Sequence, residues 1–298
     1  MVSKKALGLV ALLTVPFLNF SHQDSLSLQV TYAHASSKPL LSTDLTQKEK
    51  QEVRELKRRL KKEGFESESI DALFEKGFGI YRDIPNKFKT ASERRYARGE
   101  IRLKDYEEII GLNYLVRAAP KFFGKYKTHL VGAEKRYGVD KRIIIGITGV
   151  ESGFNDKKEV GDYNAFKALA SQYILMPKRR KEAYTQIVSL IKFSASSGLP
   201  ASQFNSSYAG AIGRTQYIPE SLLCCFVGKN GNFENVNPMD MVDNIFSVPY
   251  YLIKHGWDSS EELEKIVEGS KNWDALKAYN PSNAYVRVVL QVALSLSR

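Results

Sequence analysis

The stretch Ile143 to Val150 reads IIIGITGV, with no polar group but one threonine hydroxyl, and it ends on a carboxylate, Glu151, followed by Ser152 and Gly153. A run without a polar face has to be covered on every side, so it marks the interior of a sizeable folded unit. Asp140 is a helix N-cap for it, yet Ile143, Ile144, Ile145, Ile147 and Thr148 are β-branched and equally permit a buried strand. Gly146 and Gly149 weaken either element and suggest close packing against a neighbour. The 298 residues can surround such a run, as one large domain or two small ones.

The rest of the chain reads as mainly α-helical. Val53, Leu56 and Leu60 recur at helical spacing in STDLTQKEKQEVRELKRRLKKEG, with Ser42 or Thr43 as candidate caps and Gly64 as a stop. The cations Lys57, Arg58, Arg59, Lys61 and Lys62 on this helix either contact an anionic polymer or form a solvated face, the commoner case. Further helical patterns follow at SESIDALFEKG, LKDYEEIIGLNYLVRAAPKFFGKYKTHLVGAEKRYG and RRKEAYTQIVSLIKFSASSG, punctuated by Pro85, Gly99, Gly198 and Pro200 rather than by hairpin dipeptides. In NPMDMVDNIFSVPYYLIKHG, Asn237 reads as the cap, Pro238 as the first helical residue and Gly256 as the stop, with a kink expected at Pro249. No internal repeat or low-complexity tract interrupts these patterns.

The N-terminus, MVSKKALGLVALLTVPFLNF, has a basic start at Lys4 and Lys5 before a mostly apolar run, the pattern of a secretory signal. Ala33-His34-Ala35 offers a small-residue cleavage site, and an earlier cut near Ser21 is the alternative. No cysteine lies in this segment to be lipidated, and no other run reaches the length of a membrane span, so the expectation is an exported, soluble, periplasmic protein. The expected organisation is a signal peptide over 1–35, an N-terminal helical region over 36–125 and a catalytic domain over 126–298. The formal charge of +11 calls for an anionic partner without choosing among nucleic acid, lipid and a carboxylate polymer. Cys224 and Cys225 are adjacent, a spacing whose disulfide needs a strained ring, and they read as two thiols rather than as a redox or metal pair.

A carboxylate among isoleucines and valines is desolvated, which favours its protonated form, as a general acid near neutral pH requires. The competing reading of a buried glutamate is a hydrogen-bonded structural residue. SYAGAIGRTQYIPESLL adds Gly210 and Gly213, which let backbone approach closely, and the amide of Gln216.

Taken in order and spacing, YGVDKRIIIGITGVESGFN, SYAGAIGRTQYIPESLL, NPMDMVDNIFSVPYYLIKHGW and AYNPSNAYVRVVL resemble the membrane-bound lytic murein transglycosylase B family, glycoside hydrolase family 103, within the lysozyme-like soluble-lytic-transglycosylase superfamily. The likeness runs from about Arg136 to Ser297 and more weakly back to about residue 65. It implies a lysozyme-like catalytic core with an additional N-terminal helical region. Gly149-Val150-Glu151-Ser152 matches the family's G-[IV]-E-[ST], which makes Glu151 the catalytic residue with Ser152 beside it. Gly210, Gly213, Gln216, Tyr217 and Pro219 match G-x-x-G-x-x-Q-[FY]-x-P, which implies that Gln216 and Ser207 line the sugar groove. Pro177, Arg179 and Arg180 resemble a segment whose arginines hold substrate carboxylates, and Tyr279-Asn280 matches the family's Y-N pair, whose tyrosine lies beside the acid. Solvated arginines and a structural tyrosine are the competing readings.

The resemblance implies cleavage of the β-1,4 bond between N-acetylmuramic acid and N-acetylglucosamine by one glutamate, giving 1,6-anhydro ends, without a cofactor. Asp156 is the nearest second carboxylate, and nothing in the sequence ties it to the site. Many family members carry an EF-hand-like calcium loop, but FVGKNGNFENVNP offers Phe226, Gly228, Asn230, Asn232 and Asn237 at the ligand positions, so no metal is expected, while Gly231 keeps the turn. The implied partners are peptidoglycan glycan strands, in the company of cell-wall synthesis or secretion proteins. A hydrolytic muramidase like the goose-type lysozymes and a catalytically silent peptidoglycan-binding protein are the alternatives. A nucleic-acid reader is set aside, because no recognition motif is present and the export signal removes the partner.

Overall fold

The computed structural model describes residues 39–75, 77–89, 103–154 and 161–296. The signal segment, Gly99 and Asp156 lie outside the described residues. Helices dominate: α1 (Gln47–Lys62), α2 (Ser67–Leu73), α3 (Leu103–Ile110), α4 (Leu112–Tyr137), α5 (Lys141–Ser152), α6 (Ala165–Leu175), α7 (Arg180–Ser197), α8 (Pro219–Cys225), α9 (Met241–Lys254), α10 (Lys271–Tyr279) and α11 (Asn283–Leu294). Two small antiparallel pairs accompany them: β1 (Leu41–Ser42) with β2 (Ile80–Tyr81), and β3 (Tyr163–Asn164) with β4 (Asn205–Ser206). Among the described residues no helix is long and apolar enough to cross a membrane.

The ambiguous apolar run is a helix, α5, and every residue from Arg142 to Ser152 is buried. Asp140 caps it, accepting from the Arg142 amide at 2.8 Å, and Gly153 ends it in the left-handed region at φ 61°. A β-carbon on Gly146 would stand 2.6 Å from the Val289 carbonyl oxygen of α11, so the glycine lets these two helices meet backbone to backbone. On the same helix Gly149 leaves room for the ring of Phe154, which turns back over it. The close packing expected of both glycines is present, and it outweighs the strand propensity of the isoleucines.

Two starts differ from the sequence reading. α1 begins at Gln47 under a capping box formed by Thr46 and Glu49; Ser42 and Thr43 lack an acid or amide three residues on that could close the reciprocal bond. α9 begins at Met241, where the Asp240 carboxylate accepts from both the Val242 and Asp243 amides, while Asn237 turns the chain just ahead by accepting from Met239. Pro249 lies inside α9, which continues past it to Lys254.

The boundary expected between 125 and 126 falls within α4, at Tyr126, whose φ of −111° and ψ of 16° are not helical. One contiguous core joins Leu56, Leu60 and Ile70 of the first helices to Ile143, Ile147 and Val288 of the later ones. Four of the five cations in the run on α1 are engaged with the chain: Lys57 and Lys61 reach Asp71, Arg58 pairs with Glu55, and Arg59 lies 3.8 Å over the Tyr184 ring. One expectation is corrected: Cys224 and Cys225 are joined in a disulfide, not held as two thiols. They are the last two residues of α8, and the chain turns extended directly after them at Phe226.

Candidate active site

Glu151 sits on the last turn of α5 with 2% of its surface exposed. Burial pushes its carboxyl up to about 8, and the Tyr285 hydroxyl that faces it works in the opposite direction. Among the described residues neither Glu151 Oε1 nor the Tyr285 hydroxyl closes a hydrogen bond of ordinary geometry. A neutral carboxyl tolerates that arrangement; a carboxylate would be an uncompensated buried charge.

Tyrosines from four separate segments enclose the acid. Tyr106 comes from α3, Tyr217 from the turn before α8, Tyr279 from the end of α10 and Tyr285 from α11. All four hydroxyls are pushed up, mainly by burial and further by the field of Glu151. Tyr217 and Tyr279 meet edge-on at 5.5 Å, and Tyr279 is parallel to Tyr285 at 6.5 Å. Aromatic walls of this kind remove water from the acid while leaving polar tips near it.

The segment carrying Gln216 is a four-residue turn, closed by reciprocal backbone hydrogen bonds between Ile212 and Tyr217 at 2.8 and 3.0 Å. Gly213 takes φ +81°, and a β-carbon there would stand 2.6 Å from the Pro238 carbonyl oxygen. Gln216 itself is left-handed at φ 54°, a costly conformation for a residue with a β-carbon, and its amide donates back to Gly213 O at 3.0 Å. The fully buried Asn244 holds the turn from α9: its Oδ1 accepts from the Thr215 amide and hydroxyl, while its Nδ2 donates to Pro238 O and Asp240 O. Tyr279 fastens the other side, donating to Thr215 O at 2.8 Å.

The remaining expected site residues are distributed as follows. Ser207 is part-buried and its hydroxyl accepts from the Ala211 amide at 3.2 Å. The buried Ser152 hydroxyl donates to Thr148 O at 2.6 Å within α5. Asn280, 1% exposed, accepts from the Ser282 amide at the start of α11. Arg179 pairs with Glu182 and stacks 4.4 Å over Phe88, whose ring meets Tyr208 beside Ser207. Arg180 bonds Tyr173 O and pairs with Glu52, fastening α7 to α1. Glu151, Tyr279 and the Gln216 turn are therefore brought together, whereas Ser152, Asn280 and Arg180 spend their polar atoms on the fold. Tyr106, Tyr285 and Asn244 were not expected at the site. Tyr285 lay in a quoted motif, AYNPSNAYVRVVL, but nothing in the sequence pairs Tyr106 with a glutamate 45 residues later.

No group of three or more His, Cys, Asp or Glu side chains gathers for a metal among the described residues. A family model described as a transglycosylase SLT domain matches residues 48–270, from α1 to the approach of α10. The chain belongs to the transglycosylase SLT domain family. Membrane-bound lytic murein transglycosylase B of Escherichia coli is 28% identical over 148 residues, half of this chain and 40% of that protein's length. The match therefore spans well under two thirds of this curated relative. The soluble lytic transglycosylase SltB1 of Pseudomonas aeruginosa shares the fold at a TM-score of 0.67 and 22% identity, over 82% of this chain and 97% of that one. The Escherichia coli lytic transglycosylase Slt35, in complex with calcium, does so at 0.68 and 18%, over 87% and 95%. The SLT-domain fold is thus the mainly α-helical, lysozyme-like architecture expected from the motifs.

Proposed function

We propose that this SLT-domain protein is a lytic murein transglycosylase, cleaving the MurNAc–GlcNAc β-1,4 bond of peptidoglycan without water and leaving 1,6-anhydro-MurNAc ends. The observation that carries the reading is the Glu151 carboxyl, 2% exposed at the end of an apolar helix and set among buried tyrosines, where burial pushes it up to about 8 and favours its acid form. The SLT-domain match and the named activity of the relatives support the substrate class.

Glu151 gives its proton to the glycosidic oxygen as the bond from that oxygen to the muramyl anomeric carbon breaks, so the GlcNAc unit leaves as a neutral alcohol. The substrate's acetamido oxygen stabilises the electron-poor anomeric carbon, which removes the need for a second protein carboxylate. Glu151, now a carboxylate, takes the proton of the muramyl 6-hydroxyl, whose oxygen bonds to the anomeric carbon and closes the anhydro ring. The proton count balances and the acid is restored. An attacking hydroxyl already in the same sugar outcompetes water, and the tyrosine enclosure reduces the water present.

In this reading Gln216, Ser207 and Tyr279 face the sugars, Ser152 and Asn280 keep the acid helix and α11 in place, Arg179 lies towards substrate carboxylates, and Arg180, paired with Glu52, fastens α7 to α1 instead. The signal-like N-terminus and positive charge suit export to the periplasm, near the anionic wall polymer and its synthesis or secretion proteins. The test is mass spectrometry of muropeptides released from purified sacculi by the mature protein and by Glu151→Gln. Anhydromuramyl products from the wild type alone support the proposal. Reducing ends would make the protein a muramidase, and binding without release by either form would make it a wall-binding module.

A further inference from the structure

The segment between α8 and α9 turns at Gly231, φ +77°, in the position where an EF-hand-like loop has its glycine. The fold is shared with a calcium complex, so the residues here can be tested against that ion. They do not fit it. A calcium loop points oxygens inward at the ion and leaves its amides outside. Here Phe226 is turned into the core against Phe193 and Tyr217, at 6.1 and 5.7 Å. The Asn232 side-chain amide donates to Glu234 O, and its backbone carbonyl already accepts from Gly228.

Two charges of the chain hold the loop instead. The half-buried Asp243 carboxylate, from the first turn of α9, accepts from the Asn237 amide at 2.9 Å and also receives the Lys229 amide, so one anion bridges both limbs. On the other side the Arg136 guanidinium, from the last turn of α4, donates to the carbonyls of Asn230 at 2.8 Å and Lys229 at 3.4 Å. It lies flat against Gly231, where a β-carbon would collide with it. The wiring is reversed from that of a cation site: amides converge on an anion, and carbonyls turn out to a fixed cation.

We propose that the loop over 228–237 is a cation-independent clasp, in which Arg136 and Asp243 fix the loop between α4 and α9 without a metal ion. Asp243 is the neighbour of Asn244, so the clasp sets the start of the helix that holds the Thr215–Gln216 turn.

The test is thermal unfolding of the full mature chain in EGTA, in millimolar CaCl2 and in millimolar MgCl2, with calorimetric titration by CaCl2 alone. The expected result is one Tm in all three solutions, within about 1 °C, and no saturable heat; a ligand at about a hundredfold its Kd would shift Tm by several degrees. Asp243→Asn and Arg136→Gln should each lower Tm by several degrees, and calcium should not restore it. A saturable rise in Tm with calcium, a fitted binding isotherm, or wild-type melting by both variants would overturn the proposal. None of these readouts depends on glycan cleavage, so failure of the clasp is distinguishable from failure of the functional reading.

Discussion

Tyr279 donates its hydroxyl proton to the carbonyl oxygen of Thr215 across 2.8 Å, joining the end of α10 to the turn that carries Gln216. Both ends of this bond are buried, and the same ring lies in the field of Glu151. One side chain thus ties together two segments remote in sequence, the glycine turn and the C-terminal helices, beside the acid whose field reaches it.

Replacing Tyr279 with Phe keeps the ring and strands the Thr215 carbonyl. The expected cost is about 1–3 kcal/mol of stability, with a fall in turnover larger than the fall in glycan affinity. Urea unfolding and kinetics on purified sacculi check both, and an unchanged turnover would remove Tyr279 from the site.

The raised carboxyl of Glu151 gives a pH dependence of definite sign. Turnover should fall above about pH 8 as the general acid loses its proton. Stability responds as well. The folded chain holds this proton and the unfolded chain releases it at the ordinary value of 4.5, so the contribution is complete below 4.5 and is lost as pH rises to about 8. Glu151→Gln removes the ionisation. It should abolish cleavage and make the protein more stable than wild type at pH 8 by a few kcal/mol, on the order expected of such a shift, but not at pH 4. Equal stabilities at pH 8 would sink the buried-acid reading.

Gly146→Ala gains helix propensity worth up to about 1 kcal/mol but brings a methyl to 2.6 Å from Val289 O. Contact with backbone cannot be relieved by a rotamer change, so the net effect should be a loss of about 1–3 kcal/mol. Denaturant midpoints measure it directly, and a stabilised variant would show that α5 and α11 move apart freely.

Asn244→Ala removes four hydrogen bonds, two from Thr215 that hold the Thr215–Gln216 turn to α9 and two to the carbonyls of Pro238 and Asp240. A loss of about 2–4 kcal/mol is expected, since several partners are left unpaired together. Hydrogen exchange at Thr215 and Gln216 should rise more than exchange in α5; uniform acceleration would mean global destabilisation only.

The sequence by itself determined the local features. Asp140 before α5, Gly64 after α1, Gly198 after α7 and the acid at the end of an apolar run each depend on residues within a few positions, so the pattern carries them. The family motifs pointed to Glu151 and to the glycine turn for the same reason. Boundaries were less legible where two caps competed: Thr46 won over Thr43 because only it has Glu49 in reach, and Asp240 won over Asn237 because it takes two amides. Tertiary structure alone decided the rest. It made a helix of a β-branched run through the approach of Val289 to Gly146, and it assembled Tyr106, Tyr217, Tyr279 and Tyr285 around Glu151. It also turned Arg136 and Asp243 into partners of one loop. Burial and field at a side chain depend on distances between segments far apart in the chain, and no local pattern encodes them.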